Sequence, residues 1–278
     1  MLRIFRFHDV WFKCHPTRTF MQKMNWERDA NLKQMMSSME RIRPSGQPPK
    51  VWEVLEKIGK DGKRKKFTIQ EIPEDRYEEA VQHMCTHFLA DEPTCACSNA
   101  ANDPAFVKDT GTIWHLLMSQ GISVGAFTDN PDGGKPILAG MNALGVSYKE
   151  KKDAISNFKF SSEKCQNTFK VMDITKIVYD RYGIDKYLYA VGLSVTPEFR
   201  GYGLGTDILK IRNHVGREYN LPATSTVFTS IFSQKSAANA GFEVFLEKKF
   251  TDIVDKNGKE YFPGIKSDIM KVMGKRLP

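Results

Sequence analysis

The sequence predicts a mixed α/β fold, and three observations carry that reading: apolar and polar residues alternating in pairs across tight turns, amphipathic stretches of helical period between them, and an almost continuously apolar strand that runs into a glycine-rich turn. Val51 to Ile58 and Phe67 to Ile72 alternate across Asp61-Gly62, as two paired strands with one buried face would. From Pro73 the period lengthens. Tyr77, Val81, Met84 and Phe88 recur at helical spacing, Ala80 and Cys85 broaden the stripe, and Glu74, Asp75 and Glu79 sit where the helix dipole favours acids. Proline disfavours helix in the residue before it, so this helix is expected to end at Asp91-Glu92-Pro93. A second helix is predicted from Pro104 towards Met118. Ile122 to Phe127 and Ile137 to Tyr148 then form an antiparallel hairpin across Asn130-Pro131-Asp132-Gly133-Gly134. After a helix near Phe169 to Tyr182, the apolar run Tyr187 to Val195 reads as a strand buried on both faces.

Composition narrows the class of protein. With 41% apolar residues and 11% aromatics, a chain of 278 residues has ample material for a packed core, which excludes a disordered protein. No run approaches the roughly 18 apolar residues that cross a bilayer, and Met1 to Phe7 does not resemble a signal peptide. A soluble cytoplasmic protein is the expectation, with no membrane partner; Arg3, Arg6, Lys13, Arg18 and Lys23 against Asp9 give a faint mitochondrial-presequence bias. The five cysteines are odd in number and irregularly spaced, so neither a disulfide framework nor a zinc motif is indicated.

The net charge of +8 is unevenly spread: residues 1–66 hold 16 Lys/Arg against 7 Asp/Glu, and residues 67–278 hold 25 against 26. The basic character therefore belongs to the front segment and implies no nucleic-acid partner for the main domain. Its densest run, Lys63-Arg64-Lys65-Lys66, reads as a solvated hairpin turn. Residues 1–50, ending in the breaker-rich Pro44-Ser45-Gly46-Gln47-Pro48-Pro49, are expected to form a basic, poorly ordered extension, with one domain over 51–278. His83 and His87 are four apart on the first helix, but Met84 stands where the zinc-protease pattern needs Glu, so they are expected at the surface or cleft edge and no metal site is predicted. Cys95-Ala96-Cys97 lacks a partner pair and is expected on a loop.

The segment after the buried strand carries the function. Thr196-Pro197-Glu198-Phe199-Arg200-Gly201-Tyr202-Gly203-Leu204-Gly205-Thr206 leads into a helix striped by Leu204, Ile208, Ile211 and Val215. Glycines let a backbone turn tightly against a ligand, and the first N–H groups of a helix lack intrahelical acceptors, so strand, glycine turn and helix make an anion site. Arg200 adds a positive charge. The dinucleotide fingerprint fails because Thr206 stands where the third glycine belongs, and the ATP loop fails for want of its lysine. Arg200, Gly203 and Gly205 instead satisfy Q/R-x-x-G-x-G/A, the acyl-CoA signature of the GNAT acetyltransferase superfamily, which this stretch resembles.

Two further segments narrow the resemblance to the insect arylalkylamine N-acetyltransferases, over about Phe67 to Met273. Ala90-Asp91-Glu92-Pro93 resembles the D-E-P motif of that family, which implies Glu92 as general base. Thr229-Ser230-Ile231-Phe232-Ser233, ahead of Asn239-Ala240-Gly241-Phe242, resembles the segment whose two hydroxyls four apart are implicated in catalysis, here Thr229 and Ser233; the first is more commonly serine. Ser233 also heads a predicted helix and suits its N-cap. The resemblance implies a central twisted, mostly antiparallel sheet that splays to admit acetyl-CoA as co-substrate. It implies cofactor contacts from Leu193, Ser194 and Val195 on the strand and from Arg200, Gly201, Tyr202, Gly203, Leu204, Gly205 and Thr206 on the turn.

An amine arrives mostly as an ammonium, by analogy with lysine at a pKa of about 10, so a base must free its lone pair before it attacks the thioester. The resemblance implies acetyl transfer to a primary arylalkylamine such as dopamine, octopamine, tyramine or serotonin, by direct attack. Ser233 would protonate or hydrogen-bond the departing thiolate. Acetylation of polyamines, and non-catalytic binding of acyl-CoA, are the alternatives. A monomer is the expectation for assembly.

Overall fold

The computed structural model describes residues 29–278 except 152–154 and 156. Its eight strands form one sheet: β1 (Val51–Ile58), β2 (Arg64–Glu71), β3 (Val124–Thr128), β4 (Ile137–Tyr148), β5 (Lys186–Val195), β6 (Ala223–Phe228), β7 (Glu243–Lys249) and β8 (Ile269–Arg276), in spatial order β1-β2-β3-β4-β5-β6-β8-β7. Every neighbouring pair is antiparallel except β5 and β6, which are parallel. This is the mixed, mostly antiparallel sheet that the sequence predicts. β2 starts three residues earlier than expected, so Arg64 to Lys66 lie on the strand rather than in the turn.

Helices cover both faces. On one, α2 (Tyr77–His83, continuing through a π-helical turn Met84–Phe88 and Leu89–Asp91) and α4 (Pro104–Ser119) pack Met84, Leu89, Trp114 and Leu117 against Tyr187, Tyr189 and Val191 of β5. On the other, α7 (Leu204–Lys210) and α8 (Arg212–Glu218) set Leu204, Ile208 and Val215 against Leu188 and Ala190. Alternate β5 residues thus serve two cores, and that is why the strand reads as one apolar run. Between β4 and β5 the helical stretch begins earlier than expected and is broken, with α5 (Glu163–Met172) and α6 (Ile177–Tyr182) separated by a 3₁₀ turn over Asp173–Lys176. Short α3 (Pro93–Cys97) replaces the loop expected at Cys95-Ala96-Cys97, because Pro93 at its first position is preset for helix and Glu92 caps it.

The break expected at residue 50 does not fall there. Asp29 caps α1 (Ala30–Ser38), accepting from Leu32 N at 3.0 Å, and Leu32 packs on Leu116 of α4. Ile42 and Arg43 donate their N–H groups to Gln120 O, and the buried Arg43 guanidinium meets the buried Glu71 carboxylate at 3.1 Å. Residues 29–50 therefore belong to the domain. Nothing periodic announces this, since the anchoring is done by scattered residues, among them Leu32, Ile42 and Arg43. The presequence-like bias and Cys14 lie outside the described residues.

The sheet parts between β5 and β6. β5 pairs with β4 from Tyr148↔Lys186 to Gly140↔Val195, yet meets β6 at Leu188↔Thr224 alone. A register shift puts Val191 and Gly192 in a bulge opposite Ala143. Gly192 has φ +99°, a conformation that favours glycine, and a Cβ there would also crowd Met84 Cε at 2.4 Å. The carbonyls at the bulge find other donors: Trp114 Nε1 reaches Val191 O at 2.9 Å and Asn142 Nδ2 reaches Gly192 O at 2.8 Å.

Candidate active site

A cleft of about 700 Å³ occupies the wedge between β5 and β6. Its outer end is the glycine turn. Gly201 (φ +89°) and Gly203 (φ +75°) adopt the left-handed backbone that favours glycine, whereas Gly205 does not, and a Cβ there would only touch Ser236 Oγ at 3.6 Å. The N–H groups of residues 201–205 donate to no acceptor among the described residues, and they gather where α7 begins. Leu193, Ser194, Val195, Arg200, Gly201, Gly203, Leu204 and Gly205 all line the cleft.

Two expected cofactor residues turn away. Tyr202 is buried, its ring edge-on to Phe67 with centroids 5.5 Å apart, and Thr206 N donates to Gly203 O at 3.0 Å. Tyr202 can offer only its amide, and the N–H of Thr206 is taken up inside its own helix. The Arg200 guanidinium is likewise engaged, with Asp91 across the cleft mouth and with Val195 O at 3.1 Å. Lys60 was not foreseen. It sits in the β1–β2 turn outside the dense basic run and lines the cleft mouth beside Gly201, where a Cβ would meet its Cγ at 3.6 Å. Gly59 holds that turn down, since any side chain there would strike the Tyr202 ring at 2.6 Å.

Glu92 stands on the inner wall. The main chain is extended there (φ −69°, ψ 127°) between the end of α2 and the start of α3, and one carboxylate oxygen, Oε2, accepts from Cys95 N at 2.8 Å and from Thr94 Oγ1 at 2.5 Å. The other, Oε1, accepts from Thr229 Oγ1 at 2.6 Å, from the end of β6. All three donors are neutral, so the carboxylate is oriented without an ion pair. Ser233 lines the same cleft, but it is the third residue of α9 (Ile231–Asn239) and not its N-cap. Ser230 caps, and the two serines form a reciprocal capping box in which Ser233 Oγ donates to Ser230 O at 2.9 Å. The structure therefore brings Glu92, Thr229 and Ser233 to one cleft and sets Thr229 directly against the carboxylate.

The cleft walls behind Glu92 are apolar and aromatic, from Phe88, Phe106, Trp114, Phe169 and Met172; its acids are Asp91 and Glu92. The π-helical turn sits immediately before this wall and supplies Phe88 and His87. His87 lies at the cleft edge, as expected. His83 does not. It is buried, because the end of β5 and Thr196 cover a side of α2 that a helical wheel leaves open, with Thr196 Oγ1 3.5 Å from His83 Nδ1. Burial, with His87 beside it, pushes the His83 imidazole down to about 3. Among the described residues no three His, Cys, Asp or Glu side chains gather as metal ligands, and no helix is long and apolar enough to cross a membrane.

One parallel pair forced apart inside an otherwise antiparallel sheet, beside a turn of unused amides, is the architecture of a GNAT-fold acyltransferase. No protein-family model matches the sequence, and no curated protein does. Solved structures do. A protein of the yellow fever mosquito Aedes aegypti assigned as arylalkylamine N-acetyltransferase 7 is 29% identical, with a TM-score of 0.76 over 87% of this chain and 100% of its own. Arylalkylamine N-acetyltransferase 2 of Aedes aegypti is 23% identical with a TM-score of 0.64, over 76% of this chain and 99% of its own. A polyamine N-acetyltransferase of Drosophila melanogaster that forms N-acetylagmatine shares the fold at 14% identity and a TM-score of 0.60, over 76% of this chain and 100% of its own. The likeness is to arylalkylamine N-acetyltransferase-like proteins, and it supports an acetyltransferase of that type acting on amines.

Proposed function

We propose that the protein moves the acetyl group of acetyl-CoA to the primary amine of a small arylalkylamine, of the dopamine, octopamine, tyramine and serotonin class. The observation that carries this reading is the hydroxyl-held carboxylate of Glu92, set between an anion-accepting turn and an aromatic wall in one cleft. The free amides of residues 201–205, with Lys60 beside them, suit a pyrophosphate. Leu193 to Val195, parted from β6, have backbone to offer the pantetheine arm.

Glu92 takes the ammonium proton, directly or through water, because Thr94, Cys95 N and Thr229 leave part of its lone-pair capacity unused. The freed amine attacks the thioester carbonyl with no covalent acyl-enzyme. Thr229 positions the carboxylate. Much of the acceleration comes from holding two reactants in attack geometry, where effective molarities reach about 10⁵ M or more. A polyamine fits less well, since a second ammonium needs a second acid and Asp91 is already paired with Arg200.

Thiol release from acetyl-CoA, followed against a panel of aryl- and polyamines, tests this. Turnover with tryptamine- and phenethylamine-type acceptors in preference to spermidine is expected. Release with none of them would defeat the proposal.

A further inference from the structure

Arg212, the first residue of α8, is 1% exposed, and no carboxylate pairs with it among the described residues. Its guanidinium donates only to neutral acceptors. Nε and Nη2 reach Asn142 Oδ1 at 3.0 and 2.9 Å, and Nη1 reaches Thr224 Oγ1 at 2.9 Å and Thr226 Oγ1 at 2.8 Å. Of the five N–H groups of a guanidinium, one on Nη2 is left over. A second cation shares its aromatic neighbour: Lys275 Nζ lies 5.0 Å from the centroid of the Phe242 ring and the Arg212 guanidinium 5.4 Å from the same centroid. Burial holds Arg212 down to about 9; burial, then Arg212 and Lys210, hold Lys275 down to about 8. A buried cation held by neutral dipoles and an aromatic face, with no counter-charge among the described residues, is costly to keep, so its presence calls for a reason other than stability.

Its place supplies one. The acceptors belong to β4 and β6, the strands flanking β5, so the guanidinium reaches across beneath β5. Asn142 is the partner of Leu193 and holds Gly192 O, while Thr224 is opposite Leu188 at the last parallel pairing. Arg212 therefore lies at the apex of the wedge, and with Asn142 and Thr226 it lines the cleft. A CoA whose pyrophosphate meets residues 201–205 at the mouth runs its thiol end towards that apex. Ser233, the sequence-based candidate for meeting the leaving group, has its hydroxyl hydrogen on Ser230 O.

We propose that Arg212 is the anion site of the cleft, receiving the negative charge on the CoA sulfur as the thioester breaks. The inference rests on the acetyl-CoA reading above. Glu92 relays the ammonium proton to solvent, the freed amine forms the C–N bond, the C–S bond breaks with its electron pair on sulfur, and the second nitrogen proton passes to the vacated Glu92 carboxylate. The thiolate is then held by the guanidinium until solvent protonates it or it departs.

Equilibrium binding of CoA and of desulfo-CoA to the full chain, between about pH 6 and 9, tests this without an amine. An ordinary thiol titrates near 8.5, and the site should lower it by about one unit, so CoA gains roughly tenfold over desulfo-CoA as pH rises. A thiolate ultraviolet band appearing at correspondingly lower pH is the spectroscopic counterpart. In Arg212→Gln that gain disappears while desulfo-CoA affinity stays within about twofold, and Arg212→Lys keeps part of it. Parallel pH curves for the two ligands in the unmodified protein overturn the assignment, and because that comparison needs no variant, a misfolded Arg212→Gln does not weaken it. Arg212-dependent preference for succinyl-CoA over acetyl-CoA, with parallel CoA curves, would reassign the residue to acyl choice and also overturn it. Failure of desulfo-CoA to bind at all overturns this proposal and the acetyl-CoA reading together.

Discussion

Two regions of the molecule use the same pair of side chains in opposite ways. Beneath β2, Arg43 and Glu71 are both buried and meet at 3.1 Å, and Glu71 also accepts from Lys50 N at 3.0 Å and from Tyr219 Oη at 2.6 Å. The two charges neutralise each other there and both carboxylate oxygens have donors, and the product is a staple that fastens residues 29–50 to the sheet. In the cleft, Arg212 has neutral acceptors and Glu92 neutral donors, and no ion pair joins either to anything among the described residues. An arginine and a glutamate that neutralise each other hold a fold together. Kept apart and oriented by amides and hydroxyls, the same groups remain available to a cation's proton and to an anion.

The largest effect should come from breaking the staple. Arg43→Met leaves Glu71 charged and buried without its cation, which costs about 3–5 kcal/mol. Urea unfolding should show a midpoint lowered accordingly, with kcat of the folded fraction unchanged. A midpoint within error of the unmodified protein would dissolve the contrast. Glu92→Gln should do the reverse, lowering turnover at neutral pH by about 10²-fold or more, with stability far less affected than by Arg43→Met. The loss should shrink as pH climbs towards the amine's own pKa of about 10, because solvent then supplies the free base. A pH–rate profile unaltered by the substitution would remove Glu92 from the mechanism.

Much of this is legible in the sequence alone, and the parts that are not escape it for separate physical reasons. Alternation and helical period locate β1, α2 and α4, because each presents one repeated face to one core, and apolar runs locate β4 and β5, whose two faces each meet a core. The glycine turn was legible because Gly201 and Gly203 need backbone angles that other residues avoid. Gly192 needs such angles too, but a lone glycine within an apolar strand does not declare that the strand parts from its neighbour there. Arg43, Arg212 and His83 were missed or misplaced for a different reason. Their burial is decided by groups far along the chain, Glu71, Asn142 and Thr196, and no local period encodes those meetings. Ser233 shows the limit of motif reading: the motif led to the right cleft, and the hydrogen bonds put Thr229, not Ser233, on the carboxylate.

Thr229 and Ser233 therefore separate orientation from capping. Thr229→Val removes the hydroxyl that holds Glu92 Oε1. A hydrogen bond to a charged group contributes about 1.5–3 kcal/mol, so kcat should fall by about tenfold or more, and Thr229→Ser should restore most of it. Ser233→Ala removes one half of a capping box and should lower stability by about 1 kcal/mol with a smaller effect on kcat. If Ser233→Ala proved the more damaging to kcat, the hydroxyl that matters to the chemistry would be the one away from the carboxylate, and the positioning role of Thr229 would fail.

The smallest effect sets the rim of the cleft against its apex. Lys60 and Arg212 are both cations lining one cleft, but Lys60 is exposed at the mouth, where water and salt screen it, and Arg212 is enclosed. An exposed ion pair contributes about 0.2–1 kcal/mol, so Lys60→Ala should raise the KM for acetyl-CoA by about fivefold at most and leave kcat alone. That increment should vanish as salt is added, because at about 1 M the screening length falls to about 3 Å, shorter than most contacts between side chain and phosphate. A buried guanidinium is screened far less, so the Arg212-dependent gap between CoA and desulfo-CoA should survive the same salt. Steady-state kinetics and the paired binding curves, repeated at low and high ionic strength, set the two cations apart. Equal sensitivity to salt would mean that Arg212 meets water as freely as Lys60 does, and the apex would lose the enclosure on which its affinity for an anion depends.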